Sequence, residues 1–143
     1  MFLKNLSETI LFGKELTKKL TPKSIILIQG PIGAGKTSLV QGIGHALSIK
    51  ENITSPTFAL SHHYQSEFAT LIHMDLYRLE SEISAKELFF EEEDELENNN
   101  GILVIEWPEL IMPIVDNYWL IKIDYAENSG RILSIYEPKE PNN

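Results

Sequence analysis

The chain has 143 residues, 12 basic against 21 acidic side chains for a net charge of −9, 43% hydrophobic residues and no cysteine. That length suits one domain with a single core, and the composition is that of a soluble globular protein. Disulfides and thiolate metal sites are excluded, no apolar run approaches the ~20 residues of a membrane span, and the acidic balance disfavours free-standing binding to a phosphate backbone.

Met1-Phe2-Leu3-Lys4-Asn5 leads into polar residues and not into a signal-peptide core, so a cytoplasmic location is expected. Asn5-Leu6-Ser7-Glu8 then offers a helix cap followed three residues later by Glu8. Leu6, Ile10, Leu16 and Leu20 keep near-helical spacing up to Thr21-Pro22, where the helix must stop, with Lys14, Lys18 and Lys19 on a solvated face.

Ile25-Ile26-Leu27-Ile28 is a continuous apolar run, the pattern of a buried parallel strand. It feeds Gly30-Pro31-Ile32-Gly33-Ala34-Gly35-Lys36-Thr37, which fits the phosphate-binding pattern G-x-x-x-x-G-K-[ST] at every fixed position. Glycines at both ends let the backbone curl so that its N–H groups converge. Lys36 adds a point charge for the β- and γ-phosphates, and the Thr37 hydroxyl can ligate Mg²⁺. Leu39, Ile43, Ala46 and Leu47 then recur on one helical face, so the loop joins a strand to a helix whose positive end aims at the same phosphates. The expected ligand is a nucleoside triphosphate.

In Ile53-Thr54-Ser55-Pro56-Thr57-Phe58, Pro56 forces Ser55 into extended geometry, giving a loop before a strand on which Phe58, Leu60, His62 and Tyr64 alternate. Its hydroxyls fit a nucleotide-sensing switch or, more simply, a Ser/Thr turn. Leu71-Ile72-His73-Met74-Asp75-Leu76-Tyr77-Arg78 reads as a strand ending in charge. Asp75 is either a site carboxylate at the strand end or a cap for the next segment, and Arg78 is either its ion-pair partner or a phosphate ligand.

Ser84-Ala85-Lys86-Glu87 is a capping-box pattern that opens a short helix, and the acids from Glu91 to Glu97 read as a solvated helix face and loop before Asn98-Asn99-Asn100-Gly101. Ile102-Leu103-Val104-Ile105-Glu106 has the form of a Walker B strand, whose terminal carboxylate holds Mg²⁺ or a water of its shell, and Pro108 halts it. Trp119–Asp124 and Arg131–Tyr136 form an antiparallel hairpin around Glu127-Asn128-Ser129-Gly130, and residues 137–143 read as a frayed tail. His45, His62, His63 and His73 lack zinc-site spacing, so no metal beyond Mg²⁺ is expected. Together these elements predict an α/β P-loop NTPase fold over residues 1–143, a single three-layer domain with a mixed central sheet, its parallel core extended by antiparallel strands.

Among P-loop proteins, a GTPase is disfavoured because neither N-K-x-D nor D-x-x-G occurs. A small-metabolite kinase remains the alternative, but only two arginines, Arg78 and Arg131, are available for a transferred phosphoryl group. A recombinase or helicase needs a basic channel, which the charge opposes. Four stretches, Gly33-Ala34-Gly35-Lys36-Thr37-Ser38, Ser55-Pro56-Thr57-Phe58, His73-Met74-Asp75-Leu76-Tyr77-Arg78 and Ile105-Glu106-Trp107-Pro108, occur in an order that resembles the TsaE (YjeE) family. These are bacterial ATPases of tRNA threonylcarbamoyladenosine biosynthesis, and the likeness covers residues 6–136.

The resemblance implies ATP and Mg²⁺ as ligands. Ile32, Gly33, Ala34, Gly35, Lys36, Thr37 and Ser38 would cradle the phosphates, with Thr37 and Glu106 on the metal. It also implies that Asp75 is a nucleotide-site carboxylate, that Thr57 and Phe58 lie in a switch-like loop, and that Arg131 sits near the base. Lys36, Asp75 and Glu106 are the expected catalytic residues. The implied role is an accessory ATPase, slow alone, that acts on a complex of TsaB- and TsaD-type proteins and meets tRNA only indirectly. One departure is the segment Leu88-Phe89-Phe90-Glu91, which has no glycine where family members usually carry one.

Overall fold

The computed structural model describes residues 1–56 and 58–139; Thr57 and the end of the expected tail, residues 140–143, lie outside the described residues. Strands β1 (Phe2–Leu3), β2 (Ile25–Gln29), β3 (Ser61–Gln65), β4 (Thr70–Asp75), β5 (Gly101–Glu106), β6 (Trp119–Tyr125) and β7 (Arg131–Tyr136) form one sheet in the order β1-β7-β6-β2-β5-β4-β3. β6, β2, β5 and β4 are parallel neighbours, while β3 and β7 pair antiparallel on either side of that core. The expected hairpin is therefore β6–β7, and its outer strand carries the two-residue β1, which no pattern in the sequence had marked.

The aliphatic runs explain the layers. In a parallel core both faces are covered, so consecutive side chains serve opposite sides. Ile26, Ile28, Ile102, Val104 and Leu71 pack on one face with Leu16 of helix α1 (Leu6–Thr17) and Leu39, Val40 and Ile43 of helix α2 (Lys36–Ala46). Leu27, Ile72, Met74, Leu103 and Ile105 pack on the other with Ala85, Phe89 and Leu96 of helix α3 (Glu82–Asn98). This is the three-layer arrangement read from the sequence.

α1 starts where expected: Asn5 accepts a hydrogen bond from the Glu8 amide at 3.0 Å, and Glu8 accepts one from the Lys4 amide at 2.6 Å. The regular helix ends earlier, at Thr17, and the chain continues to Leu20 in tighter turns closed by Lys18, Lys19 and Leu20 amides. Against α2 it packs glycine to glycine: a Cβ on Gly42 would meet the Ile10 carbonyl, and one on Gly13 the Leu39 carbonyl. That approach sets α2, and with it Lys36 and Thr37, close over the sheet.

Two expectations are corrected. The helix expected to open at Ser84 is capped by Ser81, which accepts from the Ser84 amide at 3.2 Å, and it runs 17 residues instead of being short. Ala85, Phe89, Glu92 and Leu96 form a buried stripe at helical spacing, and glutamates are good helix formers, so the acidic run keeps the expected helix face, none of it falls in a loop, and Glu92 is buried instead of solvated. Before β3, Leu60 has φ of 61° and Phe58 is 86% exposed, so both precede the strand they were assigned to.

Candidate nucleotide site

The site forms where the connections diverge. β2 leads through α2 towards β4, whereas its neighbour β5 leads away to β6, so a crevice opens at the carboxyl ends of β2 and β5. The glycine-rich loop follows β2 and Glu106 ends β5, and this topology brings together two motifs separated by 69 residues.

Gly33 and Gly35 take φ of 77° and 108°, left-handed values that a side chain would strain, and Gly35 caps α2 directly. The Lys36 side chain, 95% buried by its 5% exposure, donates to the carbonyls of Gly30 at 2.7 Å and Pro31 at 2.8 Å and stands 4.4 Å from the Trp107 ring centre. Burial pushes its ammonium below the ordinary lysine value, while Glu106, Asp75 and Glu109 pull the other way. Thr37 donates its hydroxyl to the Glu106 carboxylate, at 3.1 Å and 3.3 Å from the two oxygens. A hydroxyl and one carboxylate are the protein oxygens that Mg²⁺ takes when phosphates and water complete its shell, so these residues fit that ion.

Sheet register supplies the acids. β4 and β5 pair Asp75 with Glu106 and His73 with Val104, and alternation turns Leu71, His73, Asp75, Val104 and Glu106 to the α2 face. Asp75 accepts the Ser55 hydroxyl at 2.7 Å and the Tyr77 amide at 2.9 Å, so it both closes a turn and fixes the preceding loop. Arg78 lies 5.5 Å from the Phe58 ring and, among the described residues, forms no ion pair with Asp75.

Ile32, Gly33, Gly35, Lys36, Thr37, Ser38, Asp75 and Glu106 line one cleft of about 360 Å³, completed by Leu6, Tyr77 and Trp107. Arg131 stands outside that wall: it donates to Ala34 O at 2.7 Å and Gly33 O at 3.1 Å, and to the Ser129 and Gly130 carbonyls. It thus braces the loop backbone, with Ala34 buried beneath. Sequence reasoning missed Trp107, Tyr77, whose rings lie 4.8 Å apart, and above all His73. The His73 ring is fully buried and its Nε2 is 2.5 Å from Glu106 Oε2. Its place in the run ending at Asp75 was legible; the contact was not, because it depends on how β4 is registered against β5.

Fold and cleft define a P-loop protein of the three-layer α/β class. The family described as "Threonylcarbamoyl adenosine biosynthesis protein TsaE" matches residues 3–133. A Nostoc protein named "tRNA threonylcarbamoyladenosine biosynthesis protein TsaE" is 40% identical over 134 residues, 92% of this chain and 81% of that one. A Synechocystis protein of the same name is 44% identical over 111 residues, 76% of this chain and 69% of its own. In three dimensions, a crystal structure of Bacillus subtilis YdiB superposes with a TM-score of 0.72 at 25% identity, covering 94% of this chain and 82% of that one. The chain belongs to the TsaE family, whose role is tRNA threonylcarbamoyladenosine biosynthesis.

Proposed function

We propose that this chain is a Mg²⁺-dependent ATPase that serves as the accessory subunit of the tRNA threonylcarbamoyladenosine machinery, acting on a complex of TsaB- and TsaD-type proteins. The observation that carries the reading is the meeting of Thr37, from the loop's helix, with Glu106, from the adjacent strand. Family membership supports the pathway, and the absence of N-K-x-D and D-x-x-G in the sequence supports adenine over guanine nucleotides.

The residues divide the work. The loop amides around Gly33–Ser38 bind the phosphate oxygens, helped by the positive end of α2. Lys36 exchanges the Gly30 and Pro31 carbonyls for phosphate oxygens, a trade that pairs a buried cation with negative charge. Thr37 and Glu106 hold the metal, which when bound offsets the charge on the β- and γ-oxygens. Asp75, fixed by Ser55 and the Tyr77 amide, is the acceptor that orients water in the same cleft. With a charge of −9 this subunit leaves tRNA to its partners and meets a protein surface instead.

Calorimetric titration with ATP and GTP tests the binding half. ATP should bind more tightly than GTP, Lys36→Ala should lose ATP by at least about a hundredfold (roughly 2.7 kcal/mol), and Glu106→Ala should still bind ATP, with less gain from Mg²⁺, while losing hydrolysis. Normal turnover by Lys36→Ala would sink the proposal.

A further inference from the structure

His73 is an odd residue to find where it is. It occupies the α2-facing row of β4 between Leu71 and Asp75, with no exposed surface, in a stretch of sheet otherwise packed with aliphatic side chains. Its Nδ1 is buried and has no hydrogen-bond partner among the described residues. For packing alone an aliphatic side chain would fill this slot without an unsatisfied polar atom, so the imidazole is retained against a cost. Its other nitrogen explains why. Nε2 lies 2.5 Å from Glu106 Oε2, and the tautomer that satisfies this pair carries its proton on Nε2 and leaves only a lone pair at the orphaned Nδ1.

Glu106 is itself 2% exposed, and a buried carboxylate needs donors to hold it. Among the described residues two side chains hydrogen-bond to it: Thr37 from the cleft side and His73 from inside the sheet, since His73 pairs with Val104, two residues short of Glu106 along β5. The Thr37 hydroxyl is the group that turns to a ligand; the His73 bond is the one that does not depend on the ligand.

We infer that His73 is a positioning residue for the metal-binding carboxylate: it anchors Glu106 Oε2 so that the Thr37–Glu106 pair is set at metal-binding geometry before nucleotide arrives. This rests on the Mg²⁺–nucleotide reading of the cleft. Partners that orient a ligating carboxylate typically contribute 10–100-fold in metal affinity when removed.

The test is calorimetric binding of ADP to the full chain, in excess Mg²⁺ and in EDTA, for wild type, His73→Leu, His73→Gln, Glu106→Gln and the His73→Leu/Glu106→Gln double variant. In EDTA wild type, His73→Leu and His73→Gln should bind alike, which also shows that each is folded. The gain in affinity from Mg²⁺ should fall about tenfold in His73→Leu and be largely restored in His73→Gln, whose amide nitrogen can occupy the position of Nε2. In the Glu106→Gln background, His73→Leu should add no further loss. Undiminished Mg²⁺ gain in His73→Leu, equal loss in His73→Leu and His73→Gln, or an additive double variant would overturn the inference. If His73→Leu fails to bind in EDTA, His73→Gln decides: full Mg²⁺ gain supports the donor role, and a reduced one refutes it. Wild type that binds ADP without any Mg²⁺ gain would remove the metal reading itself, and the inference with it.

Discussion

Arg131 shows how a side chain serves the cleft without lining it. Its guanidinium spans the Ala34 and Gly33 carbonyls on one side and the Ser129 and Gly130 carbonyls on the other, tying the phosphate loop to the β6–β7 turn. Those carbonyls must point away from the cleft if the loop amides are to point into it, so the fork acts on the amides by holding their opposite faces. Lysine cannot reproduce a planar fork. Arg131→Lys should therefore weaken ATP binding about tenfold, the equivalent of one lost charge-assisted hydrogen bond, measured by calorimetry. Unchanged ATP affinity beside a lowered Tm would limit Arg131 to bracing the hairpin. At this scale Lys36, Thr37 and Glu106 were legible because a glycine pattern and a strand-terminal acid are local signals. The Ser55–Asp75 and His73–Glu106 contacts were not, because they join residues 20 and 33 positions apart through loop path and register.

Among the elements, α3 departs furthest from its sequence reading, and its charge pattern explains its behaviour. Glu91, Glu92, Glu93, Asp94, Glu95 and Glu97 crowd its C-terminal end, where the helix dipole is already negative and the last turn has no basic residue. Lys23–Glu97 at 3.3 Å offsets only part of this and is exposed enough to contribute little. Glu92 is the exception: buried in the stripe, it accepts from Ser61 at 2.5 Å and contacts His63 at 2.6 Å, fastening α3 to the edge strand. Among the described residues Glu93 has no such partner. Burial first, then the charges of Glu97, Asp116 and Asp94, raise its carboxyl above the model-peptide value of 4.5. A group that binds its proton more tightly when folded loses its stabilising contribution as pH rises through 4.5 towards the raised value. Glu93→Gln should consequently raise the free energy of unfolding at neutral pH by up to about 0.5 kcal/mol, read from denaturant unfolding. That gain should vanish below pH 4, where Glu93 is protonated in both states. A gain of the same size at pH 3.5 and pH 7 would contradict the assignment. The helix boundary was hard to read because two serines offer similar caps three residues apart, and only the buried Ala85–Phe89–Glu92–Leu96 stripe decides between them.

For the whole molecule, the sheet order does what no single motif can. Parallel strands β2 and β5 are neighbours whose connections run opposite ways, so the crevice, the loop and the strand-terminal acids coincide. Class, layers and the β6–β7 hairpin were legible from alternating apolar runs and turn residues; β1 was not, since two residues carry no period. The described residues include no helix long and apolar enough to cross a membrane. Under the proposed function, this cleft hydrolyses ATP in the service of partner proteins. Phosphate release from ATP, by wild type and by Glu106→Ala, alone and with purified TsaB- and TsaD-type proteins, addresses it directly. The expected result is slow wild-type turnover that rises when both partners are present, with Glu106→Ala flat throughout. Robust turnover that ignores the partners and survives Glu106→Ala would contradict it.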